Sequence, residues 1–439
     1  MCPHPSTDST SPLLGPPGTK QRRLRILAVL LLLIIHLVLG AVRWDFIITF
    51  DGSEYLQMAR NLLSTGSFTY DGTNPVVGKP PGFPFLLACY LRVVGSPTGF
   101  QHLQMLFLFA TFLLVAAMAS RVVGAGWALA LLAVLVIGNP MPLLVYNLMS
   151  EPLFYLLTAV GISATCRLWE SRRTRWALIA GLAYGLSAYV RASNLFWPLA
   201  LLLMIVVAFR RFLRPTAMIL VIHVVVVTPW LVRNAVLFHR FVPMVSNWGL
   251  LYYMSDAELY GILHLGGVAD VMATATYKSI VRDECQFNWD PSERFRQAAM
   301  ARIRSDLGGY LRRCLHQAGF AWAFIPGTRG AARDAPVLFQ IGRLVMLTFY
   351  AMIIVGVFTL RRGSLFLPAL LIGYAVYSAA VLFPVRTESR YLILPYMFLL
   401  PTALVGIRRV LVSRGRLSFL ATESEWKSSG SSSGAMGPS

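Results

Sequence analysis

Residues 22–51 read RRLRILAVLLLLIIHLVLGAVRWDFIITFD. Arg22, Arg23 and Arg25 stand at one end of an apolar run, and Asp45 and Asp51 stand at the other. A helix rising 1.5 Å per residue needs about 20 apolar residues to cross a hydrocarbon core of roughly 30 Å. The run from residue 26 to residue 45 meets that length. Basic residues stay on the cytoplasmic side of a first span, so the reading puts the N-terminus inside and Asp51 at the outer mouth. No small-x-small cleavage pattern follows the run. The expectation is a retained span, not a removed signal peptide.

The same pattern recurs outward from there. Further spans are expected at 100–120, 124–140, 150–167, 175–190, 194–209, 216–238, 337–360, 364–384 and 391–411. Hydrophobic residues make up 56% of the chain and charged residues only 13%. No soluble core accommodates that many long apolar runs, so lipid is the solvent for most of the protein. The net charge of +20 by itself invites a nucleic-acid partner, but the placement of the charge opposes one. All but four of the 39 basic residues are arginine, and they gather beside span ends: Arg167, Arg172, Arg173 and Arg175; Arg210, Arg211 and Arg214; Arg361 and Arg362; Arg408, Arg409, Arg414 and Arg416. Ten spans put each of these clusters, and the C-terminus, on the cytoplasmic side. The segment Phe83–Val94 is too short to span and carries Arg92, so it reads as a helix lying in the outer interface.

The resulting fold class is all-α and polytopic, with about ten transmembrane helices. Residues 1–25 form a basic cytoplasmic tail. Residues 26–238 form a transmembrane module with an external loop at 46–99. An external loop at 239–336 carries an amphipathic helix, on which Phe295, Ala299, Ile303, Leu307 and Leu311 repeat at i+4 and Asp290 is the expected N-cap. Transmembrane helices at 337–411 and a flexible cytoplasmic tail at 412–439 complete the chain. The five cysteines form no CxxC pair, and the histidines form no cluster. No protein-bound metal is therefore expected as certain, although a divalent cation is left open. Cys285 and Cys314 share one external loop, as a disulfide or as two free thiols.

Chemistry concentrates in residues 51–82, DGSEYLQMARNLLSTGSFTYDGTNPVVGKPPG. Tyr55, Met58, Ala59 and Leu62 define one face of a helix starting near Asp51. Asp51 and Glu54 are candidate acid–base groups, and their spacing equally suits a helix capping box. Lys79 is either a functional cation or a snorkelling lysine; Pro80-Pro81 fixes extended backbone behind it. Glu151 and Arg191 fall near outer span ends, where ionisable groups pair or face a cavity. Trp44, Trp230, Trp248 and Trp322 read first as an interfacial belt.

These residues resemble those of the GT-C-fold glycosyltransferases, notably the lipid A aminoarabinose transferase and the protein O-mannosyltransferases. The likeness begins with Asp51, Tyr55, Ala59-Arg60, Leu63 and Gly66, followed by Lys79-Pro80-Pro81. It continues through Ser150-Glu151-Pro152-Leu153-Phe154, Gly185-Leu186, Arg191 and Pro229-Trp230-Leu231-Val232-Arg233-Asn234, and ends with Arg390-Tyr391 and Pro395. It departs at Asp51-Gly52, where the mannosyltransferases carry adjacent Asp-Glu; Glu54 is the substitute. It departs also in lacking the further C-terminal domain of the aminoarabinose transferase.

The resemblance implies a GT-C-like membrane fold and a polyprenyl-phosphate sugar donor, with inverting transfer to an acceptor hydroxyl on the outer face of the plasma (inner) membrane. It implies Asp51, with Glu54, as the catalytic group. It implies Lys79, Arg233, Arg386 and Arg390 at the donor phosphate, where planar forks and a point charge suit an anionic leaving group. Tyr55, Glu151, Arg191 and Asn234 are the expected cavity residues. The acceptor is a lipid, glycan or protein. A transporter or flippase of lipid-linked sugars is the alternative function, but the chain shows no internal repeat of the kind transporters carry.

Overall fold

The computed structural model describes residues 19–43, 48, 50–138, 147–246, 274–282, 284, 288–323, 336–360, 365–383 and 389–413. Among these the structure is helical, with one isolated bridge between Thr69 and Pro75. The helices in chain order are α1 (Thr19–Arg43), α2 (Phe50–Thr65), α3 (Gly82–Val94), α4 (Phe100–Val123), α5 (Ala125–Ile137), α6 (Glu151–Ser171), α7 (Arg175–Val190) and α8 (Trp197–Ala208). They continue as α9 (Leu213–Phe238), α10 (Ala275–Val281), α11 (Trp289–Ser305), α12 (Leu307–Ala323), α13 (Pro336–Thr359), α14 (Phe366–Leu382) and α15 (Ile393–Ser413).

The described part of each of the ten stretches expected to span lies mainly on a helix. Six are long and apolar enough to cross on their own: 21–40, 100–123, 151–171, 210–238, 340–359 and 393–412. The other four fall on helices of 13, 16, 12 and 17 residues. The chain is a multi-pass membrane protein.

The core is a packed bundle. α6 packs on α7, α7 on α9, α4 on α5 and α6, and α15 on α4, α13 and α14. Gly181 and Gly185 set the α7–α9 distance: a Cβ on either would lie 2.6 Å from Ile222 or Val226. Small residues that let backbones approach are the usual basis of helix association in lipid. α2 and the interfacial α3 pack against each other, and α3 also touches α7. Phe83, Leu87 and Leu91 of α3 face inward while Val93 and Val94 stay exposed, which suits a helix lying at the bundle surface.

Between α7 and α8 the helix opens into an extended Arg191 and a 3-10 turn at Ala192–Asn194. Open backbone inside a membrane protein needs internal partners. The Asn194 side-chain amide donates to Thr158 and Ser187 at 2.9 Å each, and the Tyr374 hydroxyl donates to its Oδ1 at 3.0 Å. Tyr377 donates to the Ser193 carbonyl at 2.6 Å, and the His223 ring meets the Leu195 carbonyl at 2.9 Å. This break carries Arg191 into the site described below.

Two expectations for residues 239–336 are corrected. The amphipathic helix begins with Asn288 as its N-cap, not Asp290, which lies inside the first turn. It also stops at Ser305. Asp306 leaves helical geometry and accepts a hydrogen bond from the Gly309 amide at 2.8 Å, at the start of α12. Phe295 and Ala299 are therefore buried, whereas Leu307 and Leu311 belong to the next helix and are exposed. Cys314 is a buried free thiol. Cys285 and the tails at 1–18 and 414–439 lie outside the described residues.

Candidate active site

α2 begins at Phe50, so Asp51 lies in its first turn, with Glu54 one turn on and Tyr55 beside it. Residues three and four apart share a helix face. The opposite requirement, an anchor, is met by Tyr55, Met58 and Ala59, all buried. Beyond α2 the chain turns back over residues 66–81. The Asn61 amide holds that return by donating to the carbonyls of Thr69 and Tyr70 at 3.1 and 3.0 Å.

The return brings Lys79 to the start of α2. Its Nζ lies 2.8 Å from Glu54 Oε2 and 3.1 Å from Asp51 Oδ1, and 5.0 Å from the centre of the Tyr55 ring. The three side chains differ in exposure: 5% for Glu54, 13% for Lys79 and 29% for Asp51. Lys79 is thus a largely buried ion-pair partner and not a snorkelling lysine. Burial pushes its ammonium towards the neutral form, but the Asp51 and Glu54 carboxylates outweigh that and hold its pKa above the ordinary lysine value. Burial likewise raises the Tyr55 phenol, so it stays protonated and can donate.

The second half of the site comes from residues 147–151. The Gln104 side chain on α4 donates to the Asn147 carbonyl at 2.8 Å and accepts from the Met149 amide at 3.3 Å. That clamp sets Ser150 where Tyr55 donates to it at 3.4 Å and Arg191 at 3.3 Å. Arg191 pairs with the buried Glu151 at 2.9 Å and lies over the Tyr391 ring at 4.6 Å. One polar network therefore joins Asp51, Glu54 and Lys79 through Tyr55 to Ser150, Glu151 and Arg191.

Gly52 explains the departure from adjacent Asp-Glu. A Cβ there would stand 2.6 Å from Asn147 Oδ1 and 3.3 Å from the Leu148 Cβ. The first turn of α2 is pressed against the 147–150 loop, and the site's second carboxylate is displaced one turn along the helix to Glu54. Sequence reading marked Gly52 only as a departure from adjacent Asp-Glu and passed over Gln104. A glutamine one turn inside the apolar run of α4 was the available signal for the latter.

Arg233 and Asn234 have a different place. Arg233 donates to the Val76 carbonyl at 3.4 Å and to Asn234 Oδ1 at 2.9 Å, and packs over the Trp230 ring at 4.4 Å. The Asn234 amide and the Trp230 indole donate to the carbonyls of Val242 and Met244. The Ser246 amide donates to the Val77 carbonyl at 2.8 Å. These residues tie the loop that carries Lys79 to the end of α9. Arg386, Asn247, Trp44, Trp248 and the Arg390 side chain lie outside the described residues. Among the described residues no three His, Cys, Asp or Glu side chains gather as metal ligands.

No protein-family model matches the chain, and no curated protein matches its sequence. Among solved structures, the oligosaccharyltransferase AglB from Archaeoglobus fulgidus, in complex with an inhibitory peptide and a dolichol-phosphate, superposes with a TM-score of 0.51 at 12% identity. The match covers 92% of this chain and 53% of that one, so the chain spans about half the length of this neighbour. ArnT from Cupriavidus metallidurans, bound to undecaprenyl phosphate, gives a TM-score of 0.44 at 15% identity, covering 90% of this chain and 78% of that one. The first likeness shows a shared fold. It is the GT-C fold implied by the sequence resemblance.

Proposed function

We propose that the protein is a membrane glycosyltransferase. It takes a sugar from a polyprenyl-phosphate donor and transfers it, with inversion, to an acceptor hydroxyl at the outer face of the plasma (inner) membrane. The observation that carries this reading is the arrangement around Lys79: Asp51 is the more accessible of two carboxylates bound to one buried ammonium. In the reaction the acceptor oxygen bonds to the anomeric carbon as the carbon–oxygen bond to phosphate breaks. The phosphate leaves with the electron pair, and Asp51 takes the acceptor proton. Glu54 holds Lys79 from its buried side, so that the ammonium orients Asp51.

Charge counting sharpens the donor assignment. Asp51, Glu54 and Lys79 together carry −1, and the Glu151–Arg191 pair is neutral. A departing phosphate needs positive charge where its own charge grows. That charge falls mainly to Arg233, Arg386 and Arg390, with Lys79 second. Tyr55, Glu151 and Arg191 frame the cavity on this reading, with Asn234 fixing the neighbouring loop through the Val242 and Met244 carbonyls.

The test uses purified protein in nanodiscs, presented with a panel of polyprenyl-phosphate monosaccharides. Release of polyprenyl phosphate and transfer to lipid, glycan and peptide acceptors are measured. Turnover of at least one donor is expected, with donor affinity weakened by alanine at Arg233, Arg386 or Arg390. Wild-type affinity in all three variants and in Lys79→Ala rejects the phosphate assignment. Movement of intact donor across a vesicle bilayer without turnover supports a flippase instead.

A further inference from the structure

The end of the bundle remote from Asp51 carries a second constructed surface. α6 runs from Glu151, in the site, to Ser171, a length of 21 residues. At 1.5 Å per residue the helix covers about 30 Å, the thickness of a hydrocarbon core. α7 returns over 16 residues, about 24 Å, from Arg175 to the Arg191 side of the site. Whichever membrane face holds Asp51, the loop between α6 and α7 lies at the other.

At that loop an aromatic stack is clamped together from three helices. Trp169 of α6 lies between Phe212, which leads into α9, and Phe366, which opens α14, with ring centres 3.4 and 3.6 Å away and planes within 16° of parallel. Phe209 meets Trp169 edge-on at 5.1 Å. Arginines gather over this platform: Arg172 is 3.6 Å from the centre of the Phe212 ring, and Arg211 is 5.4 Å from those of Trp169 and Phe212. Beside it, Arg167 and Arg175 lie over Trp176 at 5.0 and 5.1 Å. Arg172 holds its place in left-handed backbone, φ 58°, at the end of α6.

Counter-charge is scarce here. Between residues 171 and 255 the sequence contains no Asp or Glu. Glu170, the nearest, pairs with Arg121 at 2.9 Å. Arg172, Arg173, Arg175, Arg211 and Arg214 are exposed. A guanidinium stacked by its face keeps its N–H edge for a partner, and a fork of N–H donors matches a phosphate. Aromatic rings at a span end sit at headgroup depth.

We infer that this platform is a binding site for the phosphate headgroup of an anionic phospholipid, on the membrane face opposite the active site. Mere retention of positive loops on the cytoplasmic side requires charge but no stacking. The platform adds geometry: two neighbouring loops deliver their guanidiniums to one surface, each oriented by a ring.

The experiment titrates detergent-solubilised full-length protein with short-chain phosphatidylglycerol or phosphatidylcholine, reading apparent Kd from the thermal shift. Phosphatidylglycerol should stabilise, and phosphatidylcholine should not. Each arginine near an anionic surface contributes about fivefold to such binding, so Arg172→Gln/Arg211→Gln should weaken it about 25-fold. Arg172→Lys/Arg211→Lys, which keeps charge but loses the fork, should fall between. If the glutamine pair does not fold, the lysine pair carries the test alone. Equal binding of both lipids, wild-type affinity in the lysine pair, or full stabilisation by inorganic phosphate alone would overturn the inference.

Discussion

Removing Lys79 tests the charge arrangement directly. Lys79→Met keeps the stem but leaves Asp51 and Glu54 facing each other without their shared cation. At an effective dielectric of about 20, pairs 2.8 and 3.1 Å apart attract by roughly 5–6 kcal/mol each before desolvation is subtracted. Desolvation takes back much of that, and water reaching Asp51 screens its share. The dominant loss is the uncompensated Glu54, whose side chain is 5% exposed. Breaking a buried pair by removing one partner costs about 3–5 kcal/mol, and Lys79→Met is expected in that range. Adding Glu54→Gln should recover roughly half, because the buried negative charge disappears with it. The assay is a double-mutant cycle by denaturant unfolding in mixed micelles. Strictly additive single and double variants would mean that Lys79 and Glu54 do not share a buried contact, and the arrangement described here would be wrong.

Other outcomes follow from the same geometry. Gly52→Ala places a methyl group 2.6 Å from Asn147 Oδ1; overpacking of this kind costs about 1–3 kcal/mol, and a displacement of about 1 Å at the site should lower turnover around a hundredfold. Asp71 accepts hydrogen bonds from Asn74, Thr73 and Asn288, which pull its carboxyl well below the usual aspartate range despite some opposing desolvation. Its contribution is present above the ordinary aspartate pKa of about 3.9 and is lost only as pH falls through the lower folded value. Asp71→Ala should therefore loosen α11 to limited proteolysis equally at pH 5 and pH 8, and an effect confined to one of these would contradict the assignment. For sidedness, single cysteines replacing exposed Thr73 and Arg173 should label from opposite faces of sealed vesicles; labelling of both from one face would overturn the bundle orientation.

Helices were legible in the sequence where composition alone decides them. Apolar runs of span length have no alternative in lipid, so 26–45 and 216–238 were readable by length, and the interfacial α3 by its shortness and Arg92. Boundaries that depend on a single hydrogen bond were not readable. The i+4 repeat of Phe295 to Leu311 looks continuous, yet Asp306 ends one helix and caps the next. In the site, Asp51, Glu54, Tyr55 and Lys79 were each singled out within residues 51–82, but not as one cluster, because the return of the chain to the start of α2 is a tertiary fact. That Lys79 would be buried between two carboxylates was not legible either, since a lysine before two prolines reads equally as surface or core. Gly52 and Gln104 act through contacts nearly a hundred and more than forty residues away, with Asn147 and Met149. Such pairings leave no local pattern in one sequence.

Asp51→Asn separates catalysis from structure in one protein. The amide keeps the side-chain volume and a hydrogen-bond acceptor for the first turn of α2, but it cannot take the acceptor proton. Melting temperature and the rate of sugar transfer from polyprenyl phosphate are measured together in nanodiscs. The general-base role predicts a melting temperature near that of the wild type with turnover reduced about a hundredfold or more. Near-normal turnover in a folded Asp51→Asn protein would contradict it.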